Sequence, residues 1–213
     1  RTYADLALPD ALMPRAHEWL NKHRNKGLHW NDKDKTWTFP SGATLTFGYL
    51  DTENDKYRYQ GSAYQFVGFD ELTQFSESMY LYLFSRLRRL AGSNVPIRMR
   101  SASNPGGIGA RWVQERFIPD NFTPEMAEGQ HIFWKEGLNT DGSSVKRAFI
   151  PARLPDNPYL DRAEYEHSLN QLDPVTREQL LKGDWQIRER GNVYPRWEDG
   201  IEGRHVITWS QFE

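Results

Sequence analysis

Cysteine is absent from all 213 residues. That excludes disulfides and thiolate metal sites, and it gives a secreted, oxidised fold no support. No apolar run approaches the roughly 20 residues that span a bilayer, so no membrane partner is expected. No signal-peptide pattern opens the chain either. Positive charge is not in excess: Lys and Arg total 27 against 29 Asp and Glu, a net charge of -2. Contact with nucleic acid therefore has to come from a local patch or from parts beyond these residues. The six His residues fall at no metal-ligand spacing; His17 and His23 are six apart and no H-E-x-x-H occurs. Arg1-Thr2 lacks an initiator Met and Trp209-Ser210-Gln211-Phe212-Glu213 carries no obvious stop signal, so both ends read as cut.

What is present argues for a folded chain. Aromatics make up 14%, with 8 Trp, and hydrophobic residues 38%. A mean hydropathy of -0.80 indicates substantial polar connections. The length suits one sizeable domain plus a small appended piece.

Residues 5–24 read as an amphipathic helix, its start disturbed by Pro9 and Pro14, with Leu12, Ala16, Trp19 and Leu20 on one face. Residues 36–49 read as a hairpin turning at Pro40-Ser41-Gly42; Trp37, Phe39, Phe47 and Tyr49 are its core aromatics. Tyr64 to Phe69 is too short for a helix and fits a strand buried on both faces. A helix over 76–91 follows, then a second buried-type strand over 97–102 and a short helix over 110–117. Further strands are expected at 131–135 and 147–150. Strands alternating with helices predict an α/β fold with parallel pairs. The texture changes at Pro151. Pro155-Asp156-Asn157-Pro158 is turn-rich. Helices near 161–171 and 174–183 follow, the second opened by Asp173-Pro174 as N-cap and first helical residue. Residues 1–150 thus form a core, 151–190 a helical linker or lid, and 191–213 a connector.

Two segments carry chemistry. The strand Phe66-Val67-Gly68-Phe69 ends in Asp70-Glu71, and the next strand ends in Ser101-Ala102-Ser103-Asn104-Pro105-Gly106-Gly107. Ligands of open α/β sheets collect beyond the carboxyl ends of strands. Adjacent carboxylates there can hold a hydrated Mg²⁺ and activate water, while small hydroxyls and an amide can sense a phosphate. Each segment alone has a bland reading, an acidic turn or a loop of turn-forming residues.

Taken together and in this order, they resemble the large terminase subunit of tailed bacteriophages. Tyr59-Gln60-Gly61 through Asp70-Glu71 looks like its Walker B region and Ser101-Ala102-Ser103 like its coupling motif. Asn104 to Gly107, Trp112, Arg116-Phe117, Pro155 to Leu160 and Leu181-Lys182-Gly183-Asp184-Trp185 also resemble it. The resemblance implies an incomplete P-loop NTPase-type (ASCE) mostly parallel sheet with a small helical lid, using ATP and Mg²⁺. Asp70 would hold the magnesium and Glu71 would activate water. Ser101, Ala102, Ser103 and Asn104 would couple the phosphate site to movement. Arg58 lies near the place of a trans-acting arginine finger, but farther from Gly61 than that place requires; an exposed arginine on a polar segment is the alternative. Implied partners are double-stranded DNA, a portal protein, a small terminase subunit and a homo-oligomeric ring. The implied setting is the cytoplasm of an infected bacterium, docked transiently on the procapsid.

No G-x-x-x-x-G-K-[ST] occurs. The phosphate cradle is therefore expected upstream of Arg1, and without its strand the sheet is expected to expose edges. The nuclease domain of the family is also expected beyond the chain. Arg86, Arg88, Arg89, Arg98 and Arg100 could touch DNA phosphates, against a solvated-surface reading. A non-catalytic prophage remnant that only binds a partner is the alternative function. A helicase is a third reading, but residues 151–213 hold no second set of arginine-bearing motifs.

Overall fold

The computed structural model of the chain describes residues 2–89, 91–139 and 141–186. The stretch 191–213, read as a connector, lies outside the described residues. The order begins with helices α1 (Tyr3–Leu6) and α2 (Leu12–Leu20), then strands β1 (His29–Asn31), β2 (Thr36–Thr38) and β3 (Thr44–Thr46). Strand β4 (Phe66–Phe69), helix α3 (Glu77–Phe84), strand β5 (Arg98–Ser101) and helix α4 (Ala110–Phe117) follow. The hairpin β6 (Phe133–Leu138) and β7 (Ser144–Phe149) precedes helices α5 (Arg162–Leu169) and α6 (Pro174–Lys182).

This is an α/β fold with mixed helices and small sheets. Strands β1, β2 and β3 form an antiparallel sheet. Its hairpin closes where the reading of 36–49 puts it: Phe39 N–H donates to Ala43 O at 2.8 Å and Gly42 N–H to Phe39 O at 2.9 Å. β1 was not foreseen. Leu6, Met13, Trp37 and Phe47 make this unit's buried core, and Trp37 is wholly enclosed. The helix read over 5–24 is broken into two, with Asp10 in the left-handed region (φ 59°) between them. Trp19 does not join the buried face; it is 61% exposed, and Met13, Ala16 and Leu20 take that role.

The second unit is built on β4 and β5, which run parallel in the register Phe66↔Arg98 to Phe69↔Ser101. They are the one parallel pair of strands among the described residues; β6 and β7 form an antiparallel hairpin rather than adding to them. Neither strand is buried on both faces, against expectation. Of β4 only Phe69 is buried, while Phe66 is 55% exposed; on β5 only Met99 is shielded. A two-stranded pair without further neighbours leaves an edge and much of its surface open. Its shielded side packs Phe69, Leu72, Phe75, Met79, Tyr80 and Leu83 against Val113, Ile118, Phe122 and Phe133.

Helix α3 stops at Phe84, well short of residue 91. The chain beyond it pairs back onto the residue before β4: Tyr64 N–H donates to Arg86 O at 3.0 Å and Arg88 N–H to Tyr64 O at 2.9 Å. That bridge wins over helix continuation because it satisfies backbone groups at two places at once. Helix α6 is capped as read, Asp173 Oδ1 accepting from Val175 and Thr176 N–H, each at 3.0 Å.

Candidate active site

Because β4 and β5 are parallel and Phe69 is level with Ser101, their carboxyl ends finish side by side. Asp70-Glu71 and Ala102-Ser103-Asn104 leave the pair together. Two further hydrogen bonds extend the ladder past the strands: Ala102 N–H to Phe69 O at 2.9 Å, and Leu72 N–H to Ala102 O at 3.0 Å. The structure thus brings together the acidic pair and the hydroxyl-rich loop, which lie about thirty residues apart in sequence.

Glu71 adopts the left-handed conformation, φ 52° and ψ 59°. For a residue with a β-carbon this costs about 1–2 kcal/mol. The strain lets the chain reverse at once after Asp70, into the tight turn Leu72–Gln74. Asp70 and Glu71 are both partly exposed, so a water molecule or a hydrated cation can reach them.

What holds the strained turn is Thr73, a polar side chain only 1% exposed. Its N–H donates to Ser103 Oγ at 3.1 Å, and the two hydroxyls share a hydrogen bond of 2.9 Å. Ser103 also donates to Asn104 O at 3.2 Å. Ser103 is therefore a tie between the two loops rather than a group facing solvent, whereas Ser101, Ala102 and Asn104 are exposed. From the other side, Gly109 N–H donates to Thr73 O at 2.7 Å. A β-carbon on Gly109 would stand 2.5 Å from Phe75 O and 2.9 Å from Thr73 O, so only glycine lets α4 come this close. Trp112 Nε1 donates to Phe75 O at 2.9 Å, and Arg116 pairs with Glu77 at 3.3 Å.

Arg58 is drawn to its own neighbourhood. It pairs with Asp55 at 2.8 Å and its guanidinium lies 4.2 Å from the Tyr49 ring centroid. A hydrogen bond to Tyr49 raises its pKa first, followed by nearby negative charge. Arg98 and Arg100 are both exposed on β5, and the Arg86 guanidinium lies 5.0 Å from the Tyr82 ring.

The donors at the strand ends suit a hard cation that keeps its water. No group of three or more His, Asp or Glu that could hold a metal gathers among the described residues. A magnesium ion needs no such cage; one or two carboxylates plus ligand phosphates suffice. Asp70 can supply the carboxylate, but the phosphate-cradling motif is not in this sequence.

Sequence reasoning missed Thr73, Gly109 and Glu77. None belongs to a motif, and each acts through a partner 30 or more residues away, so no local pattern marks them. The one local hint was glycine density: Gly106, Gly107 and Gly109 sit within four residues of one another.

A family model described as the terminase large subunit, T4likevirus-type, N-terminal, matches residues 16–198, most of the chain. No curated protein and no solved structure matches. No helix among the described residues is long and apolar enough to cross a membrane.

Proposed function

We propose that this chain, which belongs to the terminase large-subunit family, carries the Walker B and coupling half of an ATPase that moves double-stranded DNA into a viral procapsid. The observation that supports this reading best is the level pairing of Phe69 with Ser101, which sets Asp70-Glu71 beside Ser101 to Asn104.

In this reading Asp70 holds Mg²⁺, and the bound ion neutralises charge on the nucleotide phosphates. Glu71 orients a water molecule and accepts its proton; the left-handed backbone fixes the direction of that carboxylate. Ser103, bonded to Thr73, keeps the acidic turn in fixed relation to the coupling loop. Ser101 and Asn104 stand free enough to meet a ligand. Arg58 serves as a finger toward a neighbouring subunit only if it leaves Asp55 and Tyr49. The core spans 1–150, and 151–190 is its lid or linker. The partners are duplex DNA, a portal protein, a small terminase subunit and further copies in a ring, acting in the cytoplasm of the infected host. The sheet is an incomplete member of the P-loop class.

Since the 213 residues lack the phosphate cradle, the chain alone should hydrolyse ATP little or not at all. The test begins with the coding DNA on the 5′ side of Arg1, searched for G-x-x-x-x-G-K-[ST]. If the motif is there, the protein that carries it should release phosphate from ATP, and Glu71→Gln should slow that by about 10²–10⁴-fold, as expected for loss of a general base. An undiminished rate in Glu71→Gln would remove Glu71 from the chemistry. If no such motif precedes Arg1, the non-catalytic remnant becomes the better reading.

A further inference from the structure

A cavity of about 600 Å³ opens between the end of β5, helix α4, the β6–β7 hairpin and the end of α6. Among the described residues six cationic ones line it (Arg100, Arg116, Lys146, Arg147, Arg153 and Lys182) and no Asp or Glu does. In a chain with more acids than bases, composition does not account for walls of one sign. Four of the six are neutralised by acids from outside the walls: Arg116 by Glu77 at 3.3 Å, Lys146 by Glu136 at 2.9 Å, Arg153 by Asp156 at 3.1 Å, and Lys182 by Glu178. Arg100 and Arg147 make no ion pair among the described residues.

Arg147 is the informative one. It stands on the shielded face of β7 between Val145 and Phe149, opposite Lys135, and Lys135 is itself taken by Asp120. Its Nη1 lies 2.6 Å from where a β-carbon on Gly137 would stand, so the guanidinium lies across a position without a side chain. Burial, and then the neighbouring Arg116 charge, push its pKa below the usual arginine range. Arg116 completes the pair: its Nε–H is buried and has no acceptor among the described residues, and its guanidinium lies 5.3 Å from the Tyr80 ring. Glu77 is the acid that faces both arginines, and it already serves Arg116. Two adjacent guanidiniums, one buried donor without an acceptor among the described residues and one shared carboxylate leave a net positive, donor-rich spot partly shielded from water. Such a group is costly unless an anion completes it.

We propose that this cavity binds a phosphate-class oxyanion, held between Arg147 and Arg116 with Arg100 as a third charge. A tetrahedral oxyanion offers more acceptors than a carboxylate and so answers more of these donors at once. The volume lies within the small-ligand range of about 300–1,000 Å³ and is far too small to admit a duplex. Inorganic phosphate and the terminal phosphate of a nucleotide share this chemistry. The walls include Ser101 to Pro105 on one side and Leu180, Lys182 and Gly183 on the other, so the anion would bridge the coupling loop and helix α6. This inference does not depend on ATP hydrolysis by the chain.

The test is calorimetric titration of the 213-residue chain with sodium phosphate at constant ionic strength, the balance made up with chloride to remove screening effects. Saturable one-to-one binding is expected. Arg147→Met should weaken it by about tenfold or more, the loss of a charge-assisted hydrogen bond. Arg147→Lys should fall between the two. Arg111→Met, at an exposed residue paired with Glu115, should leave binding unchanged. Displacement of phosphate by ADP, with the same dependence on Arg147, identifies a nucleotide as the source; phosphate binding indifferent to ADP identifies free phosphate. Either supports the site. Absence of saturable phosphate binding by a chain that shows a cooperative urea transition overturns it, as does equal affinity in Arg147→Met and the parent.

Discussion

Replacing Ser103 by alanine strands a donor. The Thr73 N–H gives its hydrogen bond to Ser103 Oγ at 3.1 Å, and Thr73 is 1% exposed, so water cannot take the serine's place without opening the turn. A buried donor left unsatisfied costs about 1–3 kcal/mol. Thr73→Val is the milder change. It keeps the shape and the N–H bond, and removes only the hydroxyl, which shares 2.9 Å with Ser103 and reaches Asn104 O at 3.4 Å. Ser103 then still donates to Asn104 O at 3.2 Å, so the loss should be one net hydrogen bond, about 0.5–1.5 kcal/mol. Ser103→Ala should therefore be the more destabilising. The double variant should cost less than the sum of the two, because the shared bond is lost only once. Urea unfolding followed by tryptophan fluorescence measures all three with one protocol. If Thr73→Val costs as much as Ser103→Ala, or if the two costs add, the tie between the acidic turn and the hydroxyl-rich loop is not what holds them.

Gly109→Ala forces a β-carbon to 2.5 Å from Phe75 O and should cost about 1–3 kcal/mol by overpacking; an unchanged urea midpoint would show that α4 is free to retreat. Tyr59 gives a pH test. Burial raises its pKa from 10.0 to about 12, and its hydroxyl donates to Tyr49 O at 2.9 Å, a bond that only the protonated form can make. The folded state thus holds a proton that the unfolded chain gives up. Its contribution is full below pH 10.0 and is lost as pH rises towards about 12. Tyr59→Phe should flatten the fall in stability across that window; an identical alkaline limb in the variant would assign the fall to other groups.

How much of this was legible depended on how locally each feature is determined. Helix Ala110–Phe117, the hairpin turn at Pro40 to Gly42 and the Asp173-Pro174 cap agree with the sequence because propensity, turn chemistry and capping act within a few residues. The strand end carrying Asp70 was also legible, since a short apolar run stops there abruptly, and the one carrying Ser101 was marked by the turn-forming residues Asn104 to Gly107 that follow it. Burial of the strands was not, because it depends on neighbours that the run itself cannot reveal; Phe66 ends up 55% exposed. Nor was the stop of α3 at Phe84, which a bridge from Tyr64 to Leu87 imposes from more than twenty residues away. Within the candidate site, the two strand-end segments that the pairing sets side by side were readable, and the residues that tie them together were not. A threonine three residues past an acid has no sequence signature until Ser103 is found against it.

The site's supporting bonds also fix how it can move. Helix α4 is fastened to the acidic turn at three successive points: Gly109 to Thr73, Trp112 to Phe75 and Arg116 to Glu77. These span two turns of α4, from its N-cap to its last turn. A helix held at points so spread cannot rotate against the turn without breaking at least one of them, and two of the acceptors are backbone oxygens of residues that are buried. Leaving such groups unpaired costs about 1–3 kcal/mol each. The cheaper displacement carries the turn and α4 together, as one body. Arg116 also stands beside Arg147 on β7, so any shift of that body changes the distance between two like charges. A charge at the strand ends and an anion at the arginines would therefore each alter the footing of the other through α4, with no new contact required between them.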